Sequence, residues 1–266
     1  MLTAALLGVI QGLTEFLPVS SSAHLILARF FFGWEAPEFG LAFDVALHVG
    51  TLIAILVYFW SDILAMLRAL PSALSANAGP SARLIRLIAI GTVPAIIAGL
   101  LFNDSIEAHL RTPLVAAIAL TVGAALMLIA ERVTSSRRDV AALTMVDAVL
   151  IGIAQACALI PGVSRSGSTI AIGMLLGVRR ESAARFTFLL AIPAILAAAG
   201  KESIELRHMN PDSHVLMLFA VGAGVSAVVG YVTITYFLRF LARHRLDVFA
   251  YYRLALAAVT LARLAL

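Results

Sequence analysis

Charged residues are scarce in this sequence, and their scarcity excludes most classes of protein. Only 13% of the 266 residues are charged, 62% are hydrophobic, and the mean hydropathy is +1.01. A soluble domain carries about a quarter charged residues, because polar side chains must cover its surface. The composition therefore excludes a soluble globular enzyme, a disordered chain and a nucleic-acid-binding protein, and it predicts an integral membrane protein.

Cysteine and lysine are almost missing as well. Cys157 is the single cysteine, which excludes a disulfide within the chain and suits a small apolar packing residue. Lys201 is the single lysine, so arginine supplies nearly all the positive charge. The first residues carry no basic n-region, and we expect no cleavable signal peptide. The net charge of +4 is therefore informative through the positions of the arginines.

Long apolar stretches are abundant, and six of them are predicted to span a membrane. A spanning helix needs roughly 20 apolar residues, and the candidates lie at about 41–61, 86–102, 112–130, 183–200, 214–238 and 248–266. They are apolar on all faces, which indicates helices and not a barrel. Two further segments, 1–33 and 143–177, are interrupted by proline and serine and are each predicted to form a re-entrant helical hairpin. The expected fold is one all-α polytopic membrane domain over 1–266.

The arginine distribution predicts the orientation. Twelve Arg or Lys residues lie in loops 62–86, 131–139, 179–185 and 239–247, whereas segments 29–44, 103–111 and 201–214 hold four. Basic loops stay in the cytoplasm, so both termini are expected outside. Hairpin 143–177 then enters from the inner face and hairpin 1–33 from the outer face. Opposed hairpins predict an inverted repeat with a site near the midplane.

The two hairpins align without a gap at an offset of 144 residues. The matching pairs are Gly8 with Gly152, Gln11 with Gln155, Ser20 with Ser164, Ser22 with Ser166, Ile26 with Ile170 and Gly33 with Gly177. The two hairpins differ at three aligned positions that carry reactive or charged side chains. The differing pairs are Glu15 with Leu159, Ser21 with Arg165, and His24 with Ser168. A site between the hairpins would therefore combine an acid, an imidazole and a guanidinium.

These residue types favour phosphoryl chemistry. An ionisable residue in an apolar segment is costly, which makes Glu15, His24 and Arg165 functional candidates. Helix N-termini bind anions, and hydroxyl or glycine residues stand at both predicted starts: Ser20, Ser21, Ser22, Ser164, Ser166, Gly167 and Thr169. The planar Arg165 fork suits phosphate oxygens. Together they predict a phosphate-binding site inside the membrane.

Catalytic roles can be assigned to the same residues. Glu15, with Gln11 four residues before it, could share a divalent cation such as Mg²⁺ or Ca²⁺ with a phosphate. A serine hydroxyl beside Glu15 or His24 supplies a nucleophile and a base, and His24 could protonate a leaving oxygen. These features point either to an enzyme that acts on a lipid-soluble phosphate or to a transporter of an anion.

Two motifs resemble a known family. The sequence QGLTEFLPVSSSAH (11–24) and the sequence PGVSRSGST (161–169) resemble the signatures of the undecaprenyl-diphosphate phosphatase family, of the bacitracin-resistance type. The likeness extends over the chain, including FDVALHVGTL (43–52) and RFTFLLAIP (185–193). It implies a bacterial cytoplasmic-membrane enzyme that needs a divalent cation. Such an enzyme hydrolyses undecaprenyl diphosphate to the monophosphate carrier of peptidoglycan synthesis, which confers bacitracin resistance.

The resemblance also implies residue roles. Glu15 would bind the metal or act as base, Ser21 would be the nucleophile, and His24 the acid or an alternative nucleophile. Arg165 would clamp the diphosphate, helped by Ser164, Ser166 and Thr169. Gln11 stands where many members have Glu, and an amide binds a cation more weakly than a carboxylate does.

Several alternatives stay open at this point. A flippase of polyprenyl phosphate, or a small-anion transporter, could use the same site, and phosphate release would distinguish it from the enzyme. The nucleophile is Ser21, His24 or water; the site is expected to open outward; a homodimer is one oligomeric option. Asp44 and His48 are assigned a structural or entrance role. Asp147 is assigned to a helix cap or to a solvated position, and Tyr251-Tyr252-Arg253 to an interfacial anchor.

Overall fold

The computed structural model describes residues 1–75, 79–134, 138–209 and 212–266, with backbone only for 202–209. Within these ranges the chain forms eleven α-helices and no strand. They are α1 (Leu2–Thr14), α2 (Ser21–Phe32), α3 (Leu41–Tyr58), α4 (Trp60–Ala69), α5 (Pro80–Leu110), α6 (Pro113–Val133), α7 (Met145–Cys157), α8 (Arg165–Leu175), α9 (Arg180–Met209), α10 (Ser213–Leu241) and α11 (Asp247–Leu264). The predicted all-α class is confirmed.

Five helices are long and apolar enough to cross a membrane: α3, α5, α6, α10 and the Arg180–Lys201 part of α9. The sixth predicted span corresponds to α11, which has 18 residues and contains Asp247, Arg253 and Arg263. Because of these three charged residues, α11 is less apolar than the five helices named above. Many large apolar side chains, such as Leu101 and Phe102 on α5, face outward, as expected of a surface that contacts lipid. The chain is a multi-pass membrane protein, as predicted.

Segments 1–33 and 143–177 each contain two short helices, α1–α2 and α7–α8. The longest has 13 residues and is about 20 Å long, which is short of the roughly 30 Å hydrocarbon core. We call the connections the first tip (residues 15–20) and the second tip (residues 158–164). The Ser166 hydroxyl donates to the carbonyl of Leu17 at 3.0 Å, so the two hairpins meet at their tips.

Matching backbone turns mark the repeat. Ser20 and Ser164 have φ values of 74° and 73°, and no other described residue except glycine has a positive φ. Each accepts a hydrogen bond from the backbone N–H three residues later, at Ala23 and Gly167, and so caps α2 or α8. A left-handed serine costs about 1–3 kcal/mol and is typical of functional sites. Both hairpins therefore maintain the same strained turn beside a helix N-terminus.

The hairpins pack across the two halves of the chain. Helix α1 packs against α10, and α7 packs against α5. A Cβ atom at Gly8 would lie 2.6 Å from the Gly222 carbonyl oxygen, and one at Gly152 would lie 2.3 Å from the Gly91 carbonyl oxygen. Only glycine permits these close approaches. Each hairpin is thus supported by a long helix of the opposite half.

Buried aromatic rings fix the first tip in the core. Phe16, in this tip, meets Phe188 of α9 edge-on, with ring centroids 5.3 Å apart. Phe188 in turn contacts Phe59 and Phe237. Such aromatic pairs contribute about 0.5–1.5 kcal/mol each beyond their buried area. The tip that carries Glu15 is therefore held rigidly against α9 and α10.

Candidate active site

Glu15 lies where the two tips meet and is nearly fully buried. Its carboxylate accepts hydrogen bonds from the Ser21 hydroxyl at 2.6 Å and from Nε2 of Gln11 at 2.8 Å. Its other oxygen accepts from the guanidinium of Arg165, which comes from the second hairpin. The structure therefore brings four predicted site residues into one cluster: Gln11, Glu15, Ser21 and Arg165. Glu15 and Arg165 are 150 residues apart in the sequence.

A cavity of about 450 Å³ opens from this cluster. Its polar end is lined by Glu15, Ser20, Ser21, Ser22, His48, Gln155, Ser164 and Arg165. Apolar walls come mainly from α5 and α9, with residues such as Ile96, Leu100 and Ile195. Polar side chains also line the cavity near the end of α5 and on α9: Asn103, Glu107, Arg111 and Lys201. Apolar walls with a few convergent polar groups are typical of ligand sites, and here they suit a charged headgroup on an apolar chain.

The two candidate histidines occupy different places. His24 is not among the described residues that line the cavity; its Nδ1 lies 2.7 Å from the Ser20 carbonyl and its Nε2 2.7 Å from the Tyr252 hydroxyl. A carbonyl can only accept, so Nδ1 donates to it, and in the neutral imidazole Nε2 accepts from Tyr252. His48 does line the cavity, and its Nε2 lies 3.4 Å from a Glu15 carboxylate oxygen. His48, assigned from the sequence to a structural or entrance role, is therefore a neighbour of the buried carboxylate.

The signal for His48 was present in the sequence in a weak form. An imidazole in the middle of an apolar span is costly and marks a functional candidate. Its spacing of four residues from Asp44 favours a structural or entrance role instead. In the structure Nδ1 of His48 lies 2.7 Å from the backbone carbonyl oxygen of Asp44, whereas the Asp44 carboxylate contacts Arg29 and Arg111. The contact with Glu15 comes from the packing of α3 against α1, which no local pattern reveals.

Arg253 is fully buried, and its prediction as part of an interfacial anchor is wrong. Its guanidinium donates to the carbonyl of Pro18 in the first tip and to that of Gly162 in the second, at 3.3 and 2.8 Å. It also donates to the carbonyls of Ala119, Leu120 and Val163. A Cβ atom at Gly123 would lie 2.0 Å from this guanidinium, so glycine makes room for it. Arg253 therefore joins the two tips that carry the site.

The remaining predicted binding residues divide into two groups. Ser20, Ser22 and Ser164 line the cavity. Ser166, Gly167 and Thr169 are not among the described lining residues and bond within the protein: Ser166 to the Leu17 carbonyl, Gly167 to the Ser164 hydroxyl, and Thr169 to the Arg165 carbonyl. The second group builds the α8 N-terminus and holds it against the first tip.

The two acidic residues assigned structural roles have them. Asp44 accepts hydrogen bonds from the guanidinium groups of Arg29 and Arg111, the latter at 2.5 Å. It therefore ties α2, α3 and the α5–α6 connection together beside the cavity. Asp147 forms a capping box with Thr144 at the start of α7 and accepts from Arg138 at 2.5 Å.

Comparisons with known proteins agree over the whole chain. The family model described as "Bacitracin resistance protein BacA" matches residues 4–259. A protein of Rubrobacter xylanophilus named "Undecaprenyl-diphosphatase" is 47% identical over 269 residues, which cover 100% of this chain and 99% of that protein. Proteins with the same name from Thermodesulfovibrio yellowstonii and Alcanivorax borkumensis are 44% and 45% identical, covering 96% and 97% of this chain and 94% and 97% of their own lengths.

Proposed function

The chain belongs to the bacitracin resistance protein BacA family, and we propose that it hydrolyses undecaprenyl diphosphate to undecaprenyl phosphate and inorganic phosphate. The observation that carries this function is the cluster of Ser21, Glu15 and Arg165 at the polar end of an apolar-walled cavity. The polar end suits the diphosphate, and the apolar walls suit the first isoprene units of the lipid. The product is the lipid carrier that peptidoglycan synthesis uses again.

Ser21 and Glu15 have the geometry of a nucleophile and its base. The Ser21 hydroxyl donates to Glu15 at 2.6 Å, which is the contact that activates such a group. We propose that Ser21 Oγ attacks the terminal phosphorus while its proton passes to Glu15. The bond from that phosphorus to the bridging oxygen breaks, and undecaprenyl phosphate leaves with the electron pair and takes a proton. Water then hydrolyses the phosphoserine; direct attack by a water that Glu15 activates is the alternative.

Charge stabilisation comes from Arg165 and two helix ends. Arg165 offers a planar guanidinium that matches phosphate oxygens. The N-terminal ends of α2 and α8 both lie at the cavity. Free N–H groups and the helix dipole favour an anion there. Phosphoryl transfer depends mainly on positioning and electrostatics, and this arrangement supplies both.

The proton that the leaving group needs can come from a histidine. The resemblance of the motifs favours His24, whereas position in the cavity favours His48. We propose that His48 faces the substrate and transfers the proton. His24 instead holds the Ser20 carbonyl, with Tyr252 as its second partner. In this proposal His24 acts on the reaction by positioning the tip that precedes Ser21.

A divalent cation is part of the proposal, and the donor atoms fit one. Oε1 of Gln11 is buried without a hydrogen-bond partner in the described part of the chain, and Nε2 of the same amide donates to the Glu15 carboxylate. Oxygen ligands of this kind suit Mg²⁺ or Ca²⁺, so Glu15 and Gln11 would hold the ion. When bound, it would neutralise negative charge on the phosphates. No group of three His, Cys, Asp or Glu side chains forms a metal site among the described residues, so substrate oxygens are expected as further ligands.

We also propose that the site opens to the outer face of a bacterial cytoplasmic membrane, with both termini outside, an orientation that requires α11 to cross the membrane together with the five more apolar helices. The arginine distribution supports this orientation. Asn103, Glu107 and Arg111 line the cavity and belong to a segment that this distribution places outside. A Cys157→Ala background carrying either Asp104→Cys or Arg243→Cys would test it. A membrane-impermeant maleimide should label the cysteine at 104 in intact cells, and the one at 243 only after lysis.

Phosphate release tests the function directly. Purified protein in detergent should release inorganic phosphate from undecaprenyl diphosphate, with chelator abolishing the release and Mg²⁺ or Ca²⁺ restoring it. Ser21→Ala should remove the phosphoenzyme that acid quenching traps if serine is the nucleophile. Absence of release with both cations present, while labelled lipid phosphate crosses liposomes, would contradict the enzyme and favour the transporter.

A further inference from the structure

Gln155 on α7 has a buried amide that the protein itself leaves unsatisfied. The side chain is only 3% exposed, and neither Oε1 nor Nε2 has a hydrogen-bond partner among the described residues. Buried polar groups are almost always paired, because an unpaired one forfeits its hydration. Gln155 also lines the cavity that contains Glu15 and Arg165. An unpaired amide in that wall points to a ligand as its partner.

The repeat explains why this amide is free. Gln11, its counterpart 144 residues earlier, donates from Nε2 to Glu15, which follows four residues later at the start of the first tip. The residue four positions after Gln155 is Leu159, which also lines the cavity and offers no acceptor. The exchange of Glu for Leu therefore leaves the donor of the second half without the partner that the first half provides.

We propose that Gln155 is a substrate-positioning residue that donates an N–H group to the phosphate that stays on the lipid. This assignment rests on the proposed function. Ser21 and Glu15 act on the terminal phosphate from the first hairpin. The second phosphate must then lie beside them, and the second hairpin supplies the other polar wall through Gln155, Ser164 and Arg165. An amide donates to an oxyanion without placing another charge in a site where Arg165 already pairs with Glu15.

Gln155→Leu tests the assignment through binding. We expect KM for undecaprenyl diphosphate to rise about tenfold, because a hydrogen bond to a charged group is worth that order of affinity, and kcat to stay near wild type. Inhibition by undecaprenyl phosphate should weaken by a similar factor, whereas inhibition by inorganic phosphate should not change. Cys157→Ala, an exposed position on the same helix, is the matched control and should leave all these constants unchanged.

Stability separates this role from a structural one. Leucine removes an amide without a partner, so the melting temperature of Gln155→Leu should not fall. A clear fall would overturn the proposal, because it would mean that the amide stabilises the fold. Wild-type KM and inhibition constants in Gln155→Leu would overturn it as well, while leaving the hydrolase activity established. Failure of the wild-type protein to release phosphate would instead defeat the proposed function.

A second variant creates the missing partner. Leu159→Gln places an amide oxygen four residues after Gln155, where it can accept the free N–H as Glu15 does in the first half. KM should rise although Gln155 is intact. In the Gln155→Leu background, the same change should add little, because the donor it would capture is gone. A full additive rise in the double variant would show that position 159 acts independently, against the proposal.

Discussion

The two hairpins share a backbone turn and a helix cap but carry different side chains at their tips. Ser20 and Ser164 adopt the same left-handed turn and cap the following helix in the same way. The next residue is Ser21 in the first hairpin and Arg165 in the second. The shared backbone provides two helix N-termini that favour anions, whereas the differing side chains divide the chemistry. In the proposed mechanism, the first hairpin holds the nucleophile Ser21 and its base Glu15, and the second holds the guanidinium of Arg165.

This division makes the site depend on both hairpins. Glu15 is buried, and the guanidinium that pairs with it comes from the opposite half of the chain. A buried carboxylate without its partner is strongly unfavourable, so neither tip is complete alone. Arg253 reinforces the junction, because it donates to carbonyls of both tips. The two hairpins therefore supply different members of one cluster, which neither hairpin provides alone.

Removal of Arg165 should produce the largest loss. Arg165→Ala deletes the guanidinium that stabilises charge on the phosphate, and a loss of about 10²–10³ in kcat is expected for such a donor. It also leaves Glu15 buried without its cation, which costs about 3–5 kcal/mol of stability. Phosphate release and thermal unfolding in detergent measure the two effects. Arg165→Lys keeps the charge and should restore most of the stability but only part of the rate; wild-type activity in folded Arg165→Ala would remove Arg165 from the site.

The next comparison is between His48, which lines the cavity, and His24, which is not among the described residues that line it. His48→Ala should reduce kcat by about 10² or more if His48 transfers a proton. His24→Ala should have a smaller effect, because His24 acts through the Ser20 carbonyl. Tyr252→Phe, which removes the hydroxyl that contacts His24, should resemble a weak His24 variant and leave the pH profile of kcat unchanged. A large loss in His24→Ala with near-normal His48→Ala would return the proton transfer to His24.

A residue that conflicts with its local surroundings can be recognised as a functional candidate from the sequence alone. Glu15 and Arg165 stand in apolar segments, and that conflict alone marked them before their contact was visible. Arg253 gives no such local signal, because its partners include carbonyls of the two tips, 91 and 235 residues away. Nothing local distinguishes an arginine that turns inward from one that anchors at the interface. His48 was missed for the same reason, since its neighbour Glu15 comes from another helix.

Glycines test whether the two hairpins are packed equally. Gly8→Ala and Gly152→Ala should each destabilise the protein by about 1–3 kcal/mol through overpacking. The Gly152 variant should lose more, since its added methyl group would lie 2.3 Å from a carbonyl oxygen, against 2.6 Å at Gly8. Gly224→Ala on α10, with no atom within 4 Å of the new methyl group, is the control and should be neutral or slightly stabilising. Equal melting temperatures for all three variants would show that the helices separate at little cost.

The smallest effect is expected at Gln11, where a carboxylate would make the first hairpin more acidic still. Gln11→Glu removes the N–H that donates to Glu15 and places two carboxylates side by side. Their repulsion is relieved when a divalent cation binds between them, so activity should be retained within about an order of magnitude when the cation is saturating. Half-maximal activity should then require less Mg²⁺ or Ca²⁺ than in the wild type. A variant that is inactive at every cation concentration would mean that the donated hydrogen bond, which orients Glu15 toward Ser21, is the contribution of Gln11.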